Sequence, residues 1–521
     1  VNQHERRWPA TVVSLAVVAV IWEIVGRLEL IGSGAFPPLA HIATQLWHDR
    51  GDYPRHTLGT VEAASLGFLI GNTVAIMLAL AFSRWPPLER VLRGVGLTLF
   101  SVPFIALVPV LLIAFSTNTA RIVLAALAVY FPTMVSTLVG LRQVDQRLVD
   151  VVTVSGGGEL AVLRLIRLRA CLPALFAGLR IAAPAAMLGA MLAEFGGGFR
   201  WGLGSYLLGS LGQANPARIW GIGLVATAVA AFGYAVFALI GSRVAGATSS
   251  VTTATAGPEA LEGDGREPLW AKAGFSLASA AVVLGVWAFG LRLLGISPIV
   301  AKTPLAVVKY LTTGPGAATA RHELLSALGQ TLPLMFLGLA CGLAAAFVLA
   351  LVLSLRPAVG HAFLPFALVS QTMPLPALTP LLVLVFGRGV LAIVMVTISV
   401  TFFPAFVTIA QGLAQAPRGP SDLVQAYGGN SVGVLRFVGL PNAIPHLLTA
   451  TRLAAPRALL GVMIAEFLAT GTGIGNLINQ ARGLLDYGMI WAVAAAAVIV
   501  ALTLTQLVGA IEHRVWRRFA S

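Results

Sequence analysis

The chain has 521 residues, 58% of them hydrophobic and 10% charged, with a mean hydropathy of +0.89. A soluble domain carries about 25% charged residues, so this composition points away from water-soluble classes and towards a chain that lives in a bilayer. The net charge of +14 sits mostly at the ends of apolar runs. That is a topology signal rather than a nucleic-acid one, and no RNP-like or finger-like pattern accompanies it.

Apolar runs of membrane length begin near the N-terminus. Glu5-Arg6-Arg7 precedes a run from Pro9 to about Gly26 that lacks a clean small-residue cleavage site, so it reads as an uncleaved first span. Spans are then expected near 57–82, 96–115, 119–141, 172–194 and 218–241. The segment from Ala245 to Pro268 is rich in Ser, Thr, Gly and Glu and reads as a flexible linker. Beyond it, spans are expected near 270–294, 326–354, 364–386, 389–412, 444–467 and 489–511. The division is therefore 1–244, a linker 245–268, and 269–521.

The two flanks repeat. The stretch from Asp150 to Phe195 aligns without a gap with that from Asp422 to Phe467, with 21 identical residues in 46. Asp150 pairs with Asp422, Gly156 and Gly157 with Gly428 and Gly429, and Glu194 with Glu466. "SVPFIALVP" (Ser101–Pro109) parallels "TMPLPALTP" (Thr372–Pro380). Six spans per half give both halves the same orientation. The expected fold is an all-α membrane protein of about twelve helices, with a pseudo-twofold axis along the membrane normal. Basic clusters at Arg6–Arg7, Arg84–Arg93, Arg142–Arg169, Arg243, Arg356, Arg418–Arg436 and Arg514–Arg518 put those loops and both termini in the cytoplasm. Lys302, Lys309 and Arg321 run against the rule.

The glycine segment "VSGGGELAVLRLIRLR" (Val154–Arg169) and its twin lie between spans four and five. A phosphate loop needs GxxxxGK[ST], which the chain does not contain. "GTGIGN" (Gly471–Asn476) lacks the GxGxxG register and reads as an outer turn. Asp150 can cap or lead a short helix, and Gly156–Gly157 allow a sharp bend. Val162, Leu163, Leu165 and Ile166 then form an apolar face, with Arg164, Arg167 and Arg169 in water. Such a helix, present twice, rests on lipid or serves as a knob for a cytoplasmic partner. Cys171 and Cys341 lie far apart in apolar contexts, and no HExxH or His/Cys cluster occurs, so neither a disulfide framework nor a metal site is expected.

These residues resemble the membrane permeases of ATP-binding-cassette importers. That family's hallmark is a cytoplasmic loop with an EAA-x-x-x-G pattern. Asp150-Val151-Val152 then Gly156, and Asp422-Leu423-Val424 then Gly428, occupy it, with Asp for Glu and larger residues for the alanines. "LPNAIPHLLTATRLAAPRALLGVMIAEF" (Leu440–Phe467) and the Gly473/Gly475 turn resemble the nitrate/sulfonate/taurine type, here as a fused dimer. In the first half Arg169 stands where Pro441 does. The resemblance implies two ATP-binding subunits, with ATP and magnesium held by them and no cofactor in this chain. It also implies a substrate-binding protein at the outer face and a small anionic or zwitterionic cargo. Asp150, Gly156, Gly157, Leu163 and Arg164, with Asp422, Gly428, Gly429, Leu435 and Arg436, become candidate ATPase-coupling residues.

For the path, Glu62, Asn72 and Gln371 are candidate polar liners, and Pro103, Pro109, Pro374 and Pro380 are candidate kinks of the third span in each half. Glu194 and Glu466 either meet the binding protein or cap the adjacent glycine turns. Arg180 and Arg452 are expected to snorkel towards the cytoplasm. An ion-coupled secondary transporter also fits twelve spans in parallel halves, and a fused permease for ferric iron or thiamine shares the same general pattern. No nucleophile, metal set or carboxylate pair converges within the spans to suggest an enzyme.

Overall fold

The computed structural model describes residues 7–30, 32–115, 117–213, 215–245, 269–293, 295–356 and 372–519, and their regular structure is helical. The first repeat contains α1 (Arg7–Arg27), α2 (Leu39–His48), α3 (Tyr53–Arg84), α4 (Pro86–Ser101) and α5 (Phe104–Ala114). It continues with α6 (Thr117–Arg142), α7 (Gln146–Val154), α8 (Glu159–Gly197), α9 (Leu203–Leu211) and α10 (Pro216–Ala245). The second contains α11 (Leu269–Leu293), α12 (Pro304–Thr312), α13 (Ala317–Leu355), α14 (Leu375–Phe386) and α15 (Val390–Ala414). It ends with α16 (Arg418–Ala426), α17 (Ser431–Leu468), α18 (Gly473–Gly483) and α19 (Tyr487–Phe519).

Among the described residues, eight helices are long and apolar enough to cross a membrane: α3, α6, α8, α10, α13, α15, α17 and α19. With α1, the α4–α5 pair, α11 and α14 they account for the six expected segments of each half. Most of the expected linker and the first part of the expected span 364–386, with Gln371, lie outside the described residues.

Each repeat is a bundle centred on one helix pair, α6 with α8 and α15 with α17. Close packing in such apolar surroundings relies on small residues rather than on hydrophobic exclusion. Gly67 and Gly71 set α3 directly on α6, where a methyl at Gly71 would sit 2.4 Å from the Ala126 carbonyl. Gly338 and Gly342 do the same for α13 on α15. Prolines recur at equivalent places inside the helices: Pro132 and Pro404, Pro173 and Pro445, Pro184 and Pro456. First and last helices are tied by tryptophans. Trp22 and Trp220 donate to the carbonyls of Pro37 and Ala35, and Trp287 and Trp491 to those of Lys302 and Val300.

The halves are joined crosswise. Helix α5 packs on α8 of its own repeat and on α17, α18 and α19 of the other. Helix α14 packs on α15 and α17, and also on α8, α9 and α10. These contacts place α5, α8, α14 and α17 around the seam, as a pseudo-twofold relation requires.

Three expectations change. The third span is not one helix: it breaks at Val102–Pro103, where Pro forces the preceding residue out of the helical region, to φ −66°, ψ 120°. Short helices occupy loops that had no assigned structure, namely α2, α9, α12 and α18. The "GTGIGN" turn is real only at Gly471–Thr472, and α18 begins at Gly473.

Helix α2 is anchored by a buried carboxylate. Asp49 accepts from Arg218 Nε at 2.7 Å and from Nη2 at 2.8 Å, and from Gln45 at 2.8 Å. Burial pushes the Asp49 carboxyl up, but hydrogen bonds from Arg218, Gln45 and His48 outweigh it and bring the pKa down to about 2. A carboxyl depressed below its unfolded value of about 4 stabilises the fold fully above that pH and loses this contribution as pH falls towards 2. Thermal unfolding of the detergent-solubilised chain should therefore lose about 2 kcal/mol from this pair between pH 5 and pH 2. Asp49→Asn should be less stable at pH 6 and should lack that part of the slope.

Candidate functional site

The loop between α6 and α8, and its twin between α15 and α17, repeat one geometry. Helix α7 starts at Asp145, whose side chain accepts from the Arg147 N–H at 2.9 Å. It ends in a left-handed glycine, Gly156 at φ +81°, and the twin Gly428 stands at φ +82°. This conformation is open to glycine and strained for other residues. The next amide closes each turn: Gly157 N–H to Val152 O at 2.8 Å, and Gly429 N–H to Val424 O at 2.9 Å. A methyl at either second glycine would lie 2.5 Å from the Cγ1 of that valine. Both glycines of each pair therefore have a backbone reason.

Asp150 and Asp422 do not cap these helices. They lie in the middle of α7 and α16, exposed, and Asp150 accepts from Gln146 at 3.5 Å. The Leu163–Ile166 stretch is not a separate surface helix. Leu163–Arg167 and Leu435–Gly439 are π-helical turns that run straight into the long helices behind them. Leu163 and Leu435 are half-buried there, and Arg164 and Arg436 are exposed.

The amphipathic surface helices are instead α7 and α16 themselves. Neither has a buried residue. Val151 is 65% exposed and its twin Leu423 59%, with Val154 and Tyr427 more open still. Around them Leu160, Val432 and Phe437 are also exposed. Each repeat thus presents an uncovered apolar knob at the same end of the bundle.

At the opposite end, α8 and α17 pass into left-handed glycine turns at Gly198 and Gly471. Glu194 is 1% exposed and accepts from the Gly204 N–H at 2.7 Å and from Thr60 at 2.8 Å. Thr60 in turn accepts from the Leu203 N–H at 2.7 Å. Glu466, also 1% exposed, accepts from the Gly475 N–H at 2.9 Å and from Thr331 at 2.8 Å, and Thr331 accepts from the Ile474 N–H at 2.9 Å. The two glutamates hold the first amides of α9 and α18 and pin them to α3 and α13. They offer no carboxylate surface to a docking protein. Arg121 reaches Glu194 at 3.4 Å in the first half.

The other candidates separate. Glu62 lies on the exposed apolar stripe of α3 with Leu58, Leu66 and Leu69, and the main packing partners of α3 are all in its own repeat. It therefore does not line the seam. Asn72 is buried as a link: its amide donates to Phe68 O at 2.7 Å and its oxygen accepts from Thr133 of α6. Pro103 and Pro374 lead into α5 and α14, and Pro109 and Pro380 lie inside them, so all four sit on the seam helices. Arg452 does not snorkel. It is 5% exposed and pairs with Glu512 of α19 at 3.3 Å. Arg180, half-buried, lies over the Tyr234 ring.

Two features were not found from sequence. Arg482 of α18 donates across the seam to the Gly196 carbonyl at 2.8 Å, joining the end of one repeat to the other. Arg457 is an exposed arginine in the middle of α17, where the first repeat has Ala185. The signal was present in the alignment as a charge inside a span in one copy only.

The Thr–Glu pairing makes a matched test. Thr60→Val leaves the Leu203 N–H unpaired while Arg121 still reaches the Glu194 oxygen, and Thr331→Val leaves both the Ile474 N–H and a Glu466 oxygen unpaired, each at a cost of about 1–3 kcal/mol. Thermal unfolding in detergent should show a loss for both single variants, the larger for Thr331→Val, and Thr→Ser should restore most of the stability at each position.

Comparison with known proteins agrees with this geometry. The family described as "Binding-protein-dependent transport system inner membrane component" matches residues 71–249 and again 325–520. The riboflavin transport system permease protein RibX of Chloroflexus aurantiacus is 34% identical over 161 residues, covering 31% of this chain and 60% of RibX, so the match spans less than two thirds of that relative. The formylaminopyrimidine transport permease protein ThiX of Halalkalibacterium halodurans is 28% identical, over 37% of this chain and 75% of ThiX. The taurine transport system permease protein TauC of Escherichia coli is 26% identical, over 48% of this chain and 91% of TauC. Less than half of this chain therefore corresponds to nearly a whole permease there. With its domain found twice, the chain belongs to the inner-membrane components of binding-protein-dependent transport systems, as a fused permease of the ATP-binding-cassette importer class, nitrate/sulfonate/taurine type.

Proposed function

We propose that the chain forms the whole translocation path of an importer, with residues 1–244 and 269–521 as its two permease units joined by the linker 245–268. Two ATP-binding subunits dock on α7 and α16 from the cytoplasm, where both termini also lie. ATP and magnesium belong to those subunits. A substrate-binding protein delivers a small anionic or zwitterionic solute at the α9/α18 end. The observation that carries this reading is the pair of exposed apolar knobs at equivalent positions, Val151 and Leu423, each braced by its glycine turn. An unpartnered apolar patch rimmed by polar groups marks a protein contact, and two related patches fit two copies of one partner.

The mechanism follows from the seam. Because α5 and α14 each pack on both repeats, the halves can rock as two bodies with these helices at the joint. Closure of the ATPase pair would draw α7 and α16 together. The opposite end would then open by breaking the Arg482–Gly196 contact. Relatives named for taurine and aliphatic sulfonates favour a sulfonate-like cargo. Relatives named for riboflavin and formylaminopyrimidine show that family membership alone does not choose it.

The test is co-purification from native membranes in mild detergent. Wild type should bring down an ATPase at two copies per chain. Val151→Asp with Leu423→Asp should lose it while the chain stays monodisperse, and each single variant should retain about one copy. A folded wild-type chain that recovers no ATPase would contradict the reading.

A second expectation concerns the contact across the seam. In a background with Cys171→Ser and Cys341→Ser, Arg482→Ala should raise the labelling rate of a cysteine placed at Val108, buried against Gly196, by a membrane-impermeant thiol reagent added from the outside, at least several-fold. An unchanged rate would show that the contact does not hold that end shut.

A further inference from the structure

Helix α17 is enclosed over most of its surface. From Arg452 to Phe467 every residue is buried except Arg457, which is exposed, and Leu460, which is half-buried. The flanking faces are occupied. Gly461 lies against Val400 and Thr397 of α15. On another side, Thr449 and Arg452 reach Glu512 of α19.

A lipid-facing helix shows a stripe of exposed residues at helical spacing, as α3 does at Leu58, Leu66, Leu69 and Met77. Around Arg457 the stripe is missing: Ala450, Leu453, Gly461 and Ile464 on the same side are buried. Arg457 alone stays exposed where its helical neighbours on the same side are buried, the combination expected of a side chain in an internal space. That space lies at the seam. Helix α17 touches both α5 and α14, and Leu460 packs on the core that these helices share. In the first repeat the equivalent residues Ala185 and Leu188 are likewise half-open.

Among the described residues nothing pairs with Arg457 by a hydrogen bond or an ion pair. Arg452, five residues away, shows the opposite arrangement, with Glu512 as its partner. A charge inside a span is costly and marks an ion or substrate pathway when it faces a cavity. A guanidinium offers five N–H donors in a planar fork that fits an oxyanion with two parallel hydrogen bonds.

We propose that Arg457 binds the anionic group of the cargo, a small sulfonate or carboxylate, inside the seam. The site is one-sided, because Ala185 supplies no charge from the first repeat. It rests on the permease reading above.

The test uses the purified full-length chain in detergent and two probes of nearly equal shape, methanesulfonate and uncharged dimethyl sulfone, at constant ionic strength. Methanesulfonate should raise the unfolding temperature of wild type saturably, and dimethyl sulfone should not. Arg457→Gln should weaken the apparent methanesulfonate affinity at least tenfold. Arg457→Lys, which keeps the charge without the fork, should bind with intermediate affinity and report that the fold is intact. Equal responses of wild type and Arg457→Gln, or no selective response in wild type, would overturn the proposal.

A second arm tests the location. In a background with Cys171→Ser and Cys341→Ser, Arg457→Cys should react with charged, water-soluble thiosulfonates in membrane vesicles. Reaction only with lipid-soluble reagents would place the residue against lipid and overturn the proposal. A chain that co-purifies with its ATPases and fails both arms remains a permease without this anion site. A chain that recovers no ATPase fails at the earlier step.

Discussion

Every interruption of a helix in apolar surroundings leaves N–H and C=O groups with no water to satisfy them. This chain interrupts its central helices in each repeat and places a dedicated polar group at the break. A buried glutamate, Glu194 or Glu466, receives a backbone amide of the helix that follows and a threonine from the neighbouring helix. The same threonine accepts a second amide. Three elements thus meet at one carboxylate, and the end of the bundle that carries α9 and α18 is built around it. Buried polar networks of this kind strongly specify one arrangement when all their bonds are made.

The rest of the molecule follows from having that arrangement twice. Duplication gives two bundles that share a seam, and the crosswise packing of α5 and α14 makes neither bundle complete alone. The fused halves have then diverged where symmetry is not needed. The first repeat adds Arg121 to its glutamate and Arg218 to Asp49. The second adds a buried Arg452–Glu512 pair, the Arg482 contact across the seam, and Arg457, which has no partner among the described residues. A chain that encodes both halves can place a charge on one side of a path, which a symmetric dimer of identical subunits cannot.

Much of this was legible in the sequence. Spans read from apolar length because a bilayer imposes that length. The repeat read from identities, and the glycine pairs of the α6–α8 and α15–α17 loops read from their recurrence, since the left-handed turn admits little else. What was missed has physical reasons. Pro103 was expected to kink the third span, but hydropathy could not show that it splits it into two helices. Asn72 and Glu62 are polar residues in spans, but only the packing shows that one links α3 to α6 and the other faces outward. The four seam prolines stood out because both copies carry them. Arg457 was passed over for the converse reason, since attention to positions where the copies agree hides the positions where they have specialised.

The central claim is that the halves move as two bodies when partner subunits close. Spin labels at Val154 and Ala426, exposed equivalents on α7 and α16, test it most directly, with Cys171 and Cys341 replaced by serine. In the complex with its ATPases, the distance between the labels should shorten when ATP is bound. A control pair within one repeat, at Val154 and Arg84, should keep its distance. An unchanged distance between the two repeats in a complex that hydrolyses ATP would contradict the account.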